Sequence, residues 1–408
     1  MSEELHTGVV AAGSGDAPAE GAGVGTGASA APPARPAARA GGHVGSIDLL
    51  KFLLALAIIV DHAGRAFIGG ASYPLQNGGI ACEAFFVISG CLLCASAERD
   101  EARSTRSLGE DTASFIWRKV KGILVPYLVT IVIYLVCWCE VHVGDLMAEG
   151  GVNEVLKGLF RLIPNLLLTS MAGIMQGTRL IDLTWYLSAM LLSMLVIYPL
   201  VRKLGGTYTK VVAPFCALML MGYMYNMGGG GYKGIIDDYL GFMTHGLMRA
   251  FIGINWGCVA FELARSLARL DLTGLARGLL TCAVVLLCAV TVWVMACGGA
   301  EESYALVLLL PLLVGILYSR QMAGSALFDN KVCAYLGRSS MHLYLYHAAV
   351  RRVLVVFFPD VGYAAGLAIM LAGAFLMFVA TDLVERACRR AVAASGFRLR
   401  DLFVKSAE

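Results

Sequence analysis

The chain has 408 residues, 58% of them hydrophobic and only 15% charged, with a mean hydropathy of +0.72. These values exclude an ordinary soluble globular domain. The net charge of +3 gives no reason to expect a nucleic-acid partner.

Residues 1–45 are mostly Ala, Gly, Pro and Ser. They hold too few large apolar side chains to bury a core, so a disordered cytoplasmic tail is expected, with no signal peptide. Ten apolar windows follow, at 47–66, 80–97, 121–142, 183–201, 208–227, 244–264, 276–296, 304–320, 338–357 and 361–384. Each suits a membrane helix, so the expected fold is all-α, a polytopic membrane protein of about ten transmembrane helices. The segment 155–177 is less apolar and contains Lys157, Arg161 and Pro164. An interfacial or re-entrant element is expected there, not an eleventh span. With both termini cytoplasmic, 23 Lys and Arg fall in inner segments and 5 in outer ones, as the positive-inside rule requires. The expected organisation is a tail (1–45), a membrane domain (46–385) and a basic cytoplasmic tail (386–408). The twelve cysteines lie mostly in apolar windows and are expected as small core hydrophobes, not as disulfides or metal ligands.

In the first window, IDLLKFLLALAIIVDH, Lys51 and His62 are eleven positions apart. That is about three helical turns, so both face one side roughly 16 Å apart along the axis. Ionisable groups inside a span are costly and mark candidate functional sites. A neutral imidazole at His62 suits a general base. Asp61 lies about 100° round the helix, whereas Glu83, at the start of the second span, is a candidate partner to orient His62. Ser89-Gly90 in the same span suits close helix packing. Arg118 and Lys121 share a helix face at the inner surface, a pair able to clamp phosphates and equally suited to topology and anionic lipid. Trp185 and Tyr186 sit where an interfacial belt would place them, and Asp182 precedes them. Asp237 and Asp238 follow the Gly228–Gly231 run and read as a solvated loop. His347 lies mid-span with Arg351 and Arg352 one turn on, which suggests a polar interior face; His342 and His347 are on different faces and make no metal pair. Arg249 in the sixth span is a further intramembrane charge.

Together these motifs resemble the bacterial integral-membrane acyltransferase family 3, which O-acylates cell-surface sugars. The resemblance covers about residues 46–385. It rests on Lys51, where family members carry arginine, separated by ten residues from His62, and on FFVISG at 85–90. RKVK at 118–121 stands for the family's cytoplasmic Arg-x-x-Arg and is followed by Pro126-Tyr127; TWYL at 184–187 and GRSSMHLYLYH at 337–347 are later landmarks. The resemblance implies a plasma-membrane enzyme with acyl-CoA as a donor substrate and no permanently bound cofactor or metal. The CoA phosphates would bind near Lys51, Arg118 and Lys121, with the pantetheine arm running toward His62. His62 would deprotonate the hydroxyl of a surface or lipid-linked glycan or relay the acyl group, with Glu83 as a second catalytic candidate. Asp61, Trp185, Tyr186 and His347 are the candidate substrate-binding residues.

The alternative is a transporter or exporter using His62, His347 and Arg249 as a proton or substrate path. Against it, the sequence shows no clear internal repeat of the kind many transporters carry. A third reading, a non-catalytic membrane sensor, lacks an attached soluble domain.

Overall fold

The computed structural model describes residues 43–395, apart from 71, 174–180, 182, 228–231, 233, 235 and 237; the side chains at 389 and 392–395 are also outside the description. The expectations for residues 1–42, the Gly228–Gly231 run, Asp182, Asp237 and residues 396–408 therefore fall outside the described residues.

Twelve α-helices follow one another among the described residues: α1 (Gly45–Phe67), α2 (Ala81–Arg103), α3 (Leu108–Gly150), α4 (Val152–Phe160), α5 (Ile163–Leu166) and α6 (Thr184–Leu204). Then come α7 (Ala213–Met227), α8 (His245–Ala268), α9 (Gly274–Cys297), α10 (Ala300–Ser319), α11 (Lys331–Phe357) and α12 (Tyr363–Ser395). One short antiparallel hairpin, β1 (Tyr239–Leu240) with β2 (Met243–Thr244), precedes α8. Helical structure covers each of the ten apolar windows, the fifth through a π-helical stretch, Tyr208–Val212, that leads into α7.

Among the described residues, seven helical stretches are long and apolar enough to cross a membrane, those built on α2, α3, α6, α8, α9, α10 and α12. The protein is thus a multi-pass, almost wholly helical membrane protein. Of the other long helices, α7 has only 15 residues. α1 carries Asp48, Lys51, Asp61 and Arg65, and α11 carries Lys331, Arg338, Arg351 and Arg352 with two histidines. Those two are the helices that bear the candidate site. The segment 155–177 holds α4, α5 and a 3-10 turn at Ser170–Ala172. At 9 residues, α4 spans only about 14 Å, less than half a bilayer's hydrocarbon core.

Two boundaries differ from expectation. α3 runs for 43 residues, about 65 Å, well past both ends of the 121–142 window. A capping box between Ser107 and Glu110 starts it, and its C-cap is Gly151 at φ +69°. Pro126 lies within α3 without ending it. α12 continues to Ser395, so the basic segment after 386 begins as helix.

Burial separates inner helices from outer ones. α2, α6 and α8 are mostly buried, whereas α9 and α12 expose most of their apolar surface, the pattern of lipid-facing helices. α2 and α8 form the most extensive helix pair, with α1 against α11 close behind. Gly90 and Gly257 let the α2 and α8 backbones approach: a Cβ at Gly90 would overlap the Ile254 carbonyl, and one at Gly257 the Val87 carbonyl. Ser89-Gly90 therefore serves packing, with Ser89 Oγ 3.5 Å from Met190 Sδ. All twelve cysteines are free thiols.

Candidate active site

α1 is unbroken from Lys51 to His62, so the roughly 16 Å axial separation read from the spacing holds. Each residue belongs to a different cluster.

His62 meets His347 across the α1–α11 contact. His62 Nδ1 lies 2.9 Å from His347 Nε2, and the rings are nearly parallel, at 11° with centroids 5.2 Å apart. His347 Nδ1 lies 2.8 Å from the Leu343 carbonyl oxygen, one turn back along α11. A carbonyl oxygen only accepts, so in the neutral pair His347 Nδ1 carries the proton and its Nε2 is the acceptor. His62 Nδ1 must then donate, which leaves the lone pair on His62 Nε2. The tautomers are thus assigned from the hydrogen-bond chain. His347 is completely buried, while His62 is half-buried and keeps partial access. No group of three or more His, Cys, Asp and Glu residues among the described residues could hold a metal ion.

The orienting partner of His62 is therefore His347, where Glu83 was expected. Glu83 Oε1 accepts from Arg249 Nε at 2.7 Å and Nη2 at 2.5 Å, and Tyr232 donates to Oε2 at 3.0 Å. The Arg249 guanidinium also lies 4.9 Å from the Trp185 ring centroid. Glu83, Arg249 and Tyr232 are all buried. The reason is geometric: the first turn of α2 packs on α8, and a buried carboxylate there requires a charged, hydrogen-bonded partner.

Asp61 turns away from His62, as the 100° offset requires. It is buried and accepts from Arg65 Nε at 3.1 Å, Arg65 Nη2 at 2.7 Å, the Tyr73 hydroxyl at 3.2 Å and the Gly79 amide at 2.9 Å. These bonds tie the end of α1 to the 68–80 loop. Burial, followed by the adjacent Asp61 charge, pushes the Tyr73 hydroxyl pKa above its usual value, so it stays a donor.

Trp185 and Tyr186 are not an exposed belt but core residues at 5% and 3% exposure. They face inward because α6 is an inner helix. Tyr186 lies tilted against Phe86 at 4.6 Å and meets Tyr344 edge-on at 5.6 Å, and Tyr344 approaches the His347 ring edge-on at 6.1 Å. This aromatic chain braces the dyad against α2 and α6. Cys82, Phe85, Tyr186, Ser340, Met341 and Tyr344 enclose a cavity of about 10 Å³, barely room for one water.

The other end of the bundle is cationic. Lys51 pairs with Asp48 at 2.6 Å, and Asp48 also pairs with His43. Lys119 lies close enough to Lys51, Arg99 and Arg118 to feel their charges. Arg118 pairs with Asp100 at 2.6 Å, and the Tyr198 hydroxyl donates to the same carboxylate oxygen at 2.7 Å. A cavity of about 360 Å³ beside them is lined by Asp100, Arg103, Ser104, Thr105, Arg106, Asp111 and Arg118. Lys121 is exposed and lies over Trp117, 5.2 Å from the ring centroid. Whereas Lys121 is exposed, Lys119, absent from the sequence candidates, thus lies near enough to both Lys51 and Arg118 to feel their charges. Its signal lay within RKVK, but local spacing gives no sign of which face meets α1.

The fold and these clusters define a polytopic helical membrane protein with a histidine dyad near one end of its bundle and a cation cluster at the other. The family model for the acyltransferase domain, acyltransferase family 3, matches residues 44–386, and the chain belongs to that family. It is a membrane acyltransferase. No curated protein and no solved structure matches the chain.

Proposed function

We propose that this acyltransferase moves an acyl group, acetyl first among them, from cytoplasmic acyl-CoA to a hydroxyl of an extracytoplasmic carbohydrate or glycolipid, in the plasma membrane of a bacterial cell. The observation that carries this reading is the chain from Leu343 through His347 to His62, which fixes a lone pair on His62 Nε2. That atom takes the acceptor's hydroxyl proton while the hydroxyl oxygen attacks the thioester carbonyl carbon. The tetrahedral intermediate collapses, the carbon–sulfur bond breaks, and the leaving thiolate takes the proton back from His62. The products are the ester and free CoA thiol, with His62 restored.

In this scheme His347 is a positioning residue that holds the tautomer and ring plane of His62. Lys51, Arg118 and Lys119, with Lys121 at the rim, supply positive charge for the donor phosphates. The carboxylate partner Asp100 yields to phosphate at modest cost, because the Arg118–Asp100 pair is partly solvated, whereas the buried Asp48 keeps Lys51 as its partner. Glu83 acts through structure, by anchoring α2 to α8. Asp61, Trp185 and Tyr186 shape the acceptor side from behind the dyad. The basic end faces the cytoplasm by the positive-inside rule, with about ten spans and both termini inside.

The test is a sided assay in sealed membrane vesicles. Labelled acetyl-CoA is supplied only on the basic face, and label is measured in glycan on the opposite face. Label across the membrane supports the reading. Uptake or efflux of solute with no acyl transfer would replace it with transport.

A further inference from the structure

Arg351 stands on α11 four residues after His347. Residues four apart on a helix share a face, so Arg351 leaves α11 on the side that carries His347 to α1. Helical side chains lean toward the N-terminus of their helix, which brings this guanidinium back toward the level of the dyad. Arg351 is half-buried, and its charge acts on both His62 and His347. Arg65 is the other cation near His62. Its guanidinium makes two hydrogen bonds to the buried Asp61 carboxylate; Arg351 lies on the helix that supplies half of the dyad.

We propose that Arg351 is a further catalytic residue of this site: its guanidinium receives the negative charge that develops on the acyl carbonyl oxygen during transfer. The inference rests on the acyl-transfer reading above. When the acceptor oxygen bonds to the thioester carbon, the carbonyl π electrons move onto its oxygen and the hydroxyl proton moves to His62. The positive charge of the protonated His62 and the negative oxygen then form together, and the oxygen requires a donor on the side away from the imidazole. Arg351, on the α11 face that carries His347 to α1, is a cation whose charge reaches both rings of the dyad from the α11 side. When the carbon–sulfur bond breaks, the electrons return to the carbonyl and the guanidinium is released unchanged. Because the bound thioester is neutral and the intermediate is not, the interaction is made mainly in the transition state and belongs in kcat.

The experiment compares the parent, R351M, R351K and H62A in membrane vesicles, with labelled acetyl-CoA or succinyl-CoA as donor and membrane expression and melting behaviour matched. R351M is expected to lose about 10²–10³-fold in kcat, with KM for donor and acceptor within about twofold of the parent, as expected for a group that binds only the transition state. R351K keeps the charge without the planar fork and is expected to fall about tenfold. If R351M fails to reach the membrane, R351K carries the test, and parent-level kcat in R351K overturns the proposal. A parent-level kcat in R351M also overturns it, as does a loss confined to the acceptor KM, which would mark a contact to an anionic acceptor. If the parent transfers label, H62A does not and R351M matches the parent, this inference fails alone. If the parent transfers nothing from either donor, the acyl-transfer reading fails and this inference with it.

Discussion

Replacing His347 with alanine separates orientation from chemistry. The substitution removes the acceptor 2.9 Å from His62 Nδ1 and leaves the His62 ring itself in place. A neutral hydrogen bond of this kind contributes about 0.5–1.5 kcal/mol net, and at about 1.4 kcal/mol per tenfold in rate that is about 2- to 12-fold. The imidazole is then also free to exchange tautomers and ring flips, and about one in four of those arrangements presents an Nε2 lone pair to the acceptor. The two effects together predict a fall in kcat of about 10- to 50-fold, with KM for acyl-CoA unchanged. H347A also empties a buried site, at about 2–5 kcal/mol of stability for a large-to-small core change, so melting temperature must be measured in parallel. H347Q controls for that loss: it nearly preserves volume and offers Oε1 as an acceptor to His62 Nδ1, so kcat should recover to within about threefold of the parent. Initial rates of label transfer from acetyl-CoA decide the matter. Parent-level kcat in folded H347A, or H347Q as inactive as H62A, would refute the tautomer argument.

Three further outcomes follow from the packing and the charges. E83Q leaves the Arg249 guanidinium buried opposite a neutral amide and should destabilise the protein by up to about 3–5 kcal/mol; a thermal melt unchanged from the parent would show that the pair contributes little to stability. K119M should raise KM for acyl-CoA about tenfold, the loss of about 1.4 kcal/mol of phosphate attraction, whereas K121M should change it less than twofold because an exposed charge is screened. Equal effects in the two variants would return Lys121 to the cluster. G257L places a side chain against the Val87 carbonyl and should cost about 1–3 kcal/mol or more by overpacking, read as lower melting temperature and lower membrane yield.

The helices were legible because lipid imposes an apolar period that local composition reveals. Lys51 and His62 were legible because both lie on one helix, where spacing alone sets their relation. What local sequence lacks is the identity of the partner helix. His62 and His347 are 285 residues apart, and no period links them. Glu83 looked available to His62 because the loop between α1 and α2 is short, yet the face it presents is set by the close α2–α8 contact at Gly90 and Gly257. Trp185 and Tyr186 resembled an interfacial belt because they follow a polar loop; the burial of α6 by α2, α3 and α8 is a tertiary fact. In RKVK, spacing shows that Arg118 and Lys121 share a face, but not that Lys119 faces Lys51.

The most direct measurement is acyl transfer by H62A against the parent at equal membrane expression, with labelled acetyl-CoA and the native surface glycan. General-base catalysis by His62 predicts transfer in the parent and a loss of at least about 10³-fold in kcat in H62A, within the range of positioned acid–base groups. Parent-level transfer in folded H62A would contradict it and remove the dyad from the mechanism.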